Sequence, residues 1–206
     1  MRAYRPSQTT ITVFKSVIHM VALGWAGYFY FLAINDQLGS DPVKRMIHFT
    51  GMSALNLLLL TLTLSPIARA FQLSWLLRFR RLLGLYAFFF ASLHLLNFLL
   101  FELQLDVALF FDEIIERPYI TLGMAAFTLL LALAITSFKR LQRSMGRSWQ
   151  RLHNLVYVAA ILIVIHFYWS VKSDILEPGI YVLAVIILLW LRRKKLRSLL
   201  TRHRRA

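Results

Sequence analysis

The stretch LHNLVYVAAILIVIHFYWSV, residues 152–171, decides the class of this protein. Its length of about 20 residues matches a helix that crosses a hydrocarbon core of about 30 Å. His153 and His166 stand near its two ends, and an imidazole inside such a segment is costly unless it faces a partner, a cavity or a metal. A rise of ~1.5 Å per residue separates the two rings by roughly 20 Å. This separation favours an electron or proton route across a membrane over one compact hydrolytic site.

The rest of the chain is similarly apolar. Hydrophobic residues make up 59% of its 206 positions and the mean hydropathy is +0.63, whereas a soluble domain averages about 45–50% apolar residues. We therefore predict an all-α integral membrane protein, a six-transmembrane helix bundle that forms a single domain over residues 1–206. The predicted spans are about 14–34, 46–65, 82–101, 119–138, 152–171 and 179–191. Asp41 and Pro42 are predicted to be the cap and the first residue of the helix of the second span, and Ser65 and Pro66 are predicted to end that span. Residues 139–151 are predicted to form a basic inner loop, and no internal repeat is evident.

The basic residues fix the predicted orientation. Of the 24 Lys and Arg residues, only Lys44, Arg45, Arg117 and Lys172 fall on one side of the six spans. Loops rich in Lys and Arg stay in the cytoplasm, so we expect both termini to be cytoplasmic. All nine acidic residues fall on the outer side. The net charge of +15 is thus explained by topology, and because no nucleic-acid-binding module is visible, we predict no nucleic-acid partner.

His94 and His166 are the first candidates for a cofactor site. His94 lies in the third span, roughly 18 Å from its inner end, and His166 lies roughly 21 Å from the inner end of the fifth. Two imidazoles at similar depth on two helices of one bundle can ligate a haem iron from opposite sides. The alternative is that each ring is satisfied by a neighbouring hydroxyl or backbone carbonyl.

His153 is a candidate ligand of a second haem, nearer the inner face. Two features oppose this reading. On an ideal helix His153 and His166 are about 140° apart, so they do not share one face, and Arg80 stands where the third span would need an inner ligand. The alternative is an interfacial polar residue beside Trp149.

Three further histidines are weaker candidates. His19 lies in the inner half of the first span and could partner His153, and His48 lies in the outer half of the second span. His203 lies in the basic C-terminal tail, where we expect it to be solvated. The absence of cysteine excludes disulfides, iron–sulfur clusters and c-type haem attachment.

These residues, in this order, resemble the MsrQ (YedZ) family, the haem-binding membrane subunits of bacterial periplasmic methionine sulfoxide reductase systems, within the ferric-reductase-like transmembrane superfamily. The stretches that carry the resemblance are DPVK at 41–44, HFTG at 48–51, RRLLGL at 80–85, His94, RPYITLG at 117–123, WQRLHN at 149–154 and HFYWSVK at 166–172.

The resemblance implies a multi-pass subunit of the bacterial inner membrane that binds haem b, once or twice. His94, His153 and His166 match the family's proposed haem ligands, and Arg80 departs from the paired histidines of the related oxidases. The resemblance also implies FMN, for which no residue can be assigned. The implied donor is a cytosolic flavin reductase or the quinone pool, and the implied acceptor is a periplasmic molybdopterin-containing reductase that repairs oxidised methionine.

Two other functions stay open from the sequence. One is a self-sufficient quinol or ferric reductase, and the other is a proton-coupled transporter that uses histidines as a relay. We expect an electron-transfer subunit that is not catalytic alone, since no nucleotide-binding or metalloprotease motif is present.

Overall fold

A computed structural model describes residues 6–171 and 175–193, and within those ranges the regular structure is entirely helical. Five helical stretches are long and apolar enough to cross a membrane: Gln8–Ile34, Pro42–Ala70, Ser74–Glu102, Pro118–Ile135 and Arg147–Ser170. Leu176–Trp190 is a shorter apolar helix of 15 residues. The prediction of an all-α membrane protein is confirmed, with the sixth predicted span present as this shorter helix. The predictions for Lys172, His203 and the basic tail past residue 193 lie outside the described residues.

Nine α-helices follow one another in the described ranges. They are α1 Gln8–Ile34, α2 Pro42–Ala70, α3 Arg80–Asn97, α4 Val107–Glu116, α5 Pro118–Ile135, α6 Lys139–Met145, α7 Arg147–His153, α8 Val156–Ser170 and α9 Leu176–Trp190. A 3-10 helix, Ser74–Phe79, leads into α3, and a π-helical turn, Phe98–Glu102, follows it.

Local sequence explains how α2 begins but not how it ends. The Asp41 side chain accepts the backbone N–H of Lys44 over 3.0 Å and Pro42 takes the first helical position, as the sequence predicts. The predicted end at residues 65–66 is wrong, because Pro66 lies inside the helix, which runs to Ala70. Proline is tolerated in membrane helices where neighbouring groups satisfy the backbone that it frees.

The basic segment before the fifth span is helical, where the sequence suggested a loop. α6 and α7 are separated by Gly146, whose φ of 51° is costly for residues with a Cβ. The fifth span is likewise divided, because α7 ends at His153 and α8 begins at Val156. His153 therefore belongs to a different helix from His166.

The chain divides into two compact units, with the boundary between Glu113 and Ile114. In the first, α2 and α3 form the main helix pair. One core cluster consists of Ile11, Leu64, Phe79 and Leu83, with Trp75 and Leu76 of the 3-10 helix packed against it. The 3-10 helix Ser74–Phe79 is thus packed into the core of this unit.

A buried amide joins three helices of the first unit. Asn97 of α3 is 1% exposed. It accepts the Tyr30 hydroxyl of α1 over 2.8 Å, and its amide nitrogen lies 3.4 Å from the Thr50 hydroxyl of α2. Buried polar groups are generally satisfied in this way, and these contacts connect Asn97 of α3 to both α1 and α2.

The second unit is built on the pairing of α5 with α8, against which α9 also packs. Ala126 of α5 and Ala159 and Ala160 of α8 are almost fully buried, and such small side chains let helix backbones approach closely. At the end of α9, Arg192 donates to the Tyr157 hydroxyl over 2.7 Å and lies over its ring.

Candidate functional site

His94, in the first unit, is held against the backbone of α2. Its Nδ1–H donates to the carbonyl oxygen of Ile47 over 2.8 Å. The ring also lies against Gly51, one turn further along α2, where a Cβ would be 2.9 Å from Nδ1 and 3.0 Å from Cε1. Real Cβ atoms essentially never come closer than 3.0 Å. Glycine therefore leaves the space that the imidazole fills.

His166, in the second unit, is held in the same way against α5. Its Nδ1–H donates to the carbonyl oxygen of Tyr119 over 2.7 Å. A Cβ at Gly123, again one turn further along the partner helix, would be 2.8 Å from Nδ1 and 2.9 Å from Cε1. We call each set of backbone carbonyl, glycine and histidine a histidine seat.

The hydrogen bond in each seat fixes the tautomer of the ring. A carbonyl oxygen can only accept, so the proton must be on Nδ1, and the lone pair of the neutral ring is then on Nε2. Histidines that ligate metals usually donate their second ring N–H to a carbonyl, a carboxylate or water in this manner. The donor chemistry of His94 and His166 therefore fits a haem iron, which each ring would hold through Nε2.

The two seats repeat one spacing along the chain. In each, the histidine follows the carbonyl residue by 47 positions, and the glycine stands four positions after that residue. The glycines open similar segments, GMSAL at 51–55 and GMAAF at 123–127. No repeat is evident in the sequence because the similarity is short, but the two units share this local arrangement.

His153 is held through its other nitrogen. Its Nε2 lies 3.1 Å from the hydroxyl of Thr136, at the end of α5. The Thr136 hydroxyl also lies 2.6 Å from the carbonyl oxygen of Ala132, which can only accept, so both contacts are satisfied when the hydroxyl donates to that carbonyl and His153 donates Nε2–H to the hydroxyl. The ring also stacks on Trp149 at 4.0 Å, and the Trp149 indole donates to the Thr136 carbonyl oxygen. In this arrangement Nε2 of His153 carries the proton, whereas Nε2 of His94 and of His166 carries the lone pair.

The two weaker candidates lie on the outside of the first unit. His19 of α1 is exposed, and its Nδ1 lies 2.6 Å from the hydroxyl of the buried Tyr86 on α3. His48 of α2 is also exposed, although it directly follows Ile47 of the first seat. Within residues 6–171 and 175–193, no group of three or more His, Asp or Glu side chains is placed to hold a metal ion.

Comparison with known proteins identifies the family of this chain. Residues 50–164 match the family described as ferric reductase like transmembrane component. The chain is 42% identical over 207 residues to the protein-methionine-sulfoxide reductase heme-binding subunit MsrQ of Xanthomonas oryzae pv. oryzae strain MAFF 311018, in an alignment that covers 97% of this chain and 95% of the relative. The chain belongs to the MsrQ family.

Other MsrQ proteins give the same result. Those of Xanthomonas euvesicatoria pv. vesicatoria and Xanthomonas axonopodis pv. citri are also 42% identical, with the same coverage. No solved structure gives a significant match. Membership of the MsrQ family confirms the resemblance found in the sequence, and together with the five long apolar helices it makes this a multi-pass membrane protein.

Sequence reasoning missed five residues that shape these sites. Gly51 and Gly123 close the HFTG and RPYITLG stretches that carried the resemblance, but their contacts with imidazoles become visible only in the fold. The acceptor carbonyls of Ile47 and Tyr119 leave no mark in the sequence, since any residue has one. Thr136 could have been suspected only as one hydroxyl among several at the inner end of its span.

Proposed function

We propose that this MsrQ-family protein is a b-type haem electron-transfer subunit of the bacterial inner membrane. It takes electrons from a cytosolic flavin reductase or the quinone pool and delivers them to a periplasmic molybdopterin-containing methionine sulfoxide reductase. The sulfoxide chemistry belongs to that partner, so the chain is not a complete enzyme. Its relatives in Xanthomonas are named as heme-binding subunits of protein-methionine-sulfoxide reductase, and this supports the proposal.

The observation that carries the proposal is the pair of histidine seats. His94 and His166 are the residues that would hold the haem iron, each with Nδ1 bonded to a backbone carbonyl and its lone pair therefore on Nε2. When bound, a haem b iron supplies one-electron chemistry between its ferric and ferrous states. The chain's own contribution is to hold the two rings in one tautomer and orientation on paired helices. That the two imidazoles share one iron is our proposal from their matching depth along the spans.

A single domain with six crossings and both termini in the cytoplasm is part of the proposal. The shorter α9 would complete the sixth crossing, since a long basic side chain such as that of Arg193, just past its end, can extend an apolar span. Electrons would then enter on the face rich in Lys and Arg, which suits an acidic donor protein or a flavin phosphate. They would leave on the face that carries the acidic residues.

We assign one haem to the seats and leave a second as a prediction. Ligation by His153 through Nε2 would require the loss of its hydrogen bond to Thr136. FMN also stays a prediction from the resemblance, with no residue assigned to it.

The test is the visible spectrum of the detergent-purified protein, followed by a pyridine haemochrome assay per mole of chain. We expect a Soret band and sharp α and β bands on reduction, with reoxidation that depends on the periplasmic reductase and a sulfoxide substrate. Reoxidation by ferric salts at full rate without that partner would support a self-sufficient reductase. A colourless protein would contradict the proposal and favour a proton-coupled transporter.

A further inference from the structure

Two of the eight glycines in the chain lie against imidazoles, and they lie against the two histidines proposed as ligands. A Cβ at Gly51 would meet His94, and a Cβ at Gly123 would meet His166, at 2.8 to 3.0 Å from Nδ1 and Cε1. By contrast, a Cβ at Gly84 would meet only the Thr61 methyl group, at 4.0 Å, and a Cβ at Gly179 would meet nothing within 4 Å.

These contacts cannot be relieved cheaply. The atoms that a Cβ would strike belong to a ring already held at Nδ1 by the carbonyl one turn earlier, not to the end of a flexible side chain. An added methyl group must therefore rotate the imidazole, break the Nδ1 hydrogen bond or push the two helices apart. Each of these movements displaces Nε2.

We propose that Gly51 and Gly123 are positioning residues for the two imidazoles, an inference that rests on the proposed ligand role of His94 and His166. The missing side chain lets each ring lie flat against the partner helix, so that Nδ1 reaches the carbonyl and Nε2 is left with the lone pair at one fixed place. Neither glycine touches the iron, and each acts through the histidine that it seats.

The same spacing in both units argues against an accident of helix packing. A glycine kept only for close backbone approach needs no particular partner, and Gly84 and Gly179 have none of this kind. In both seats the glycine stands one turn after the acceptor carbonyl, and the histidine follows that carbonyl by 47 positions.

The experiment compares Gly51→Ala and Gly123→Ala with Gly84→Ala and Gly179→Ala in the full-length protein. Loss of a group that orients a metal ligand typically lowers metal affinity by about tenfold to a hundredfold. We expect a loss of haem affinity in that range for Gly51→Ala and Gly123→Ala only. Electron paramagnetic resonance of the haem that remains should show high-spin or altered low-spin iron. The control variants should keep the wild-type spectrum, since alanine is the better helix former.

A measurement on the haem-free protein separates this inference from the proposed function. Nitrogen-15 NMR of labelled histidine should show His94 and His166 as Nδ1–H tautomers in the wild type and as mixed tautomers in the two alanine variants. If His94→Ala and His166→Ala both keep full low-spin haem, the proposed function has failed, whatever the tautomers show.

Three results would overturn the glycine inference itself. The first is that Gly51→Ala and Gly123→Ala match Gly84→Ala in haem affinity, spin state and tautomer. The second is a loss of thermal stability in the first pair with unchanged tautomer and spin state, which would mark a purely structural role. The third is an Nε2–H tautomer in the wild type, and this result does not depend on whether any variant folds.

Discussion

His166 and His153 belong to the same unit and are both hydrogen-bonded to α5, yet they are bonded through opposite nitrogens. His166 gives Nδ1–H to the carbonyl of Tyr119, near the start of α5, and His153 gives Nε2–H to the hydroxyl of Thr136, just past its end. The first bond leaves the lone pair on Nε2 and the second leaves it on Nδ1. Two histidines of one predicted span are therefore held with their lone pairs on different ring nitrogens.

The largest expected effect is the loss of haem when a seated histidine is removed. His166→Ala or His94→Ala should lose most of the haem, or change its iron from low-spin six-coordinate to high-spin, because an axial ligand is gone. His153→Ala should retain the haem held by the seats. Haem content per mole and optical spectra of the purified variants measure this.

His203→Ala, in the basic tail, is the control for this first comparison and should match the wild type. If His153→Ala lost as much low-spin haem as His166→Ala, the predicted difference between the two histidines would be wrong. The His153 ring would then have to leave Thr136 when haem binds.

The second prediction places the two histidines on opposite sides of the membrane. If the basic loops are cytoplasmic, reporter fusions after residues 38, 73, 108, 145 and 175 should read periplasmic, cytoplasmic, periplasmic, cytoplasmic and periplasmic in turn. His153 then lies toward the cytoplasm and His166 toward the periplasm. Alkaline phosphatase and fluorescent-protein fusions provide the measurement. A periplasmic signal at residue 73 or 145 would contradict the predicted topology.

The third prediction tests the bond that distinguishes His153. Thr136→Val keeps the side chain's shape and removes its hydroxyl, which should destabilise the protein by about 1 kcal/mol, the typical net value of one hydrogen bond. Haem content should not change. Thermal unfolding in detergent, followed beside haem content, measures both effects.

Thr128→Val is a matched control for this variant. Among the hydrogen bonds of the described residues, the Thr128 hydroxyl makes only one, to the carbonyl oxygen of Met124 in the same helix. Its loss should cost less than that of Thr136. A fall in haem with Thr136→Val but not with Thr128→Val would show that the His153 region also takes part in haem binding.

The smallest expected effect concerns the basic helices before His153. Reversal of charge at Arg140, Arg143 and Arg147 should slow haem reduction by a cytosolic flavin reductase and make the remaining rate less sensitive to salt, if these residues attract an acidic donor. Reduction by dithionite should change less, because a small reagent needs no docking surface. Unchanged flavin-reductase kinetics in a correctly inserted variant would remove these arginines from the entry route.

Much of the framework was predictable because it depends on local chemistry. Apolar runs of membrane-spanning length, the Asp41 cap and the proline at position 42 all act within a few residues, so the sequence predicts them correctly. The end of α2 was not predictable in the same way. Pro66 breaks isolated helices, and whether α2 continues past it depends on neighbours that the local sequence does not reveal.

The apolar helical character of this membrane protein and its resemblance to a family could be predicted from the sequence, because composition and motifs are local. The tertiary structure decided which nitrogen of each ring is held. That choice depends on an acceptor supplied by another helix, 47 positions earlier for both His94 and His166. It also decided the roles of Gly51 and Gly123. The cost of adding a methyl group at a glycine depends on the neighbouring atoms, and at these two positions the neighbour is an imidazole.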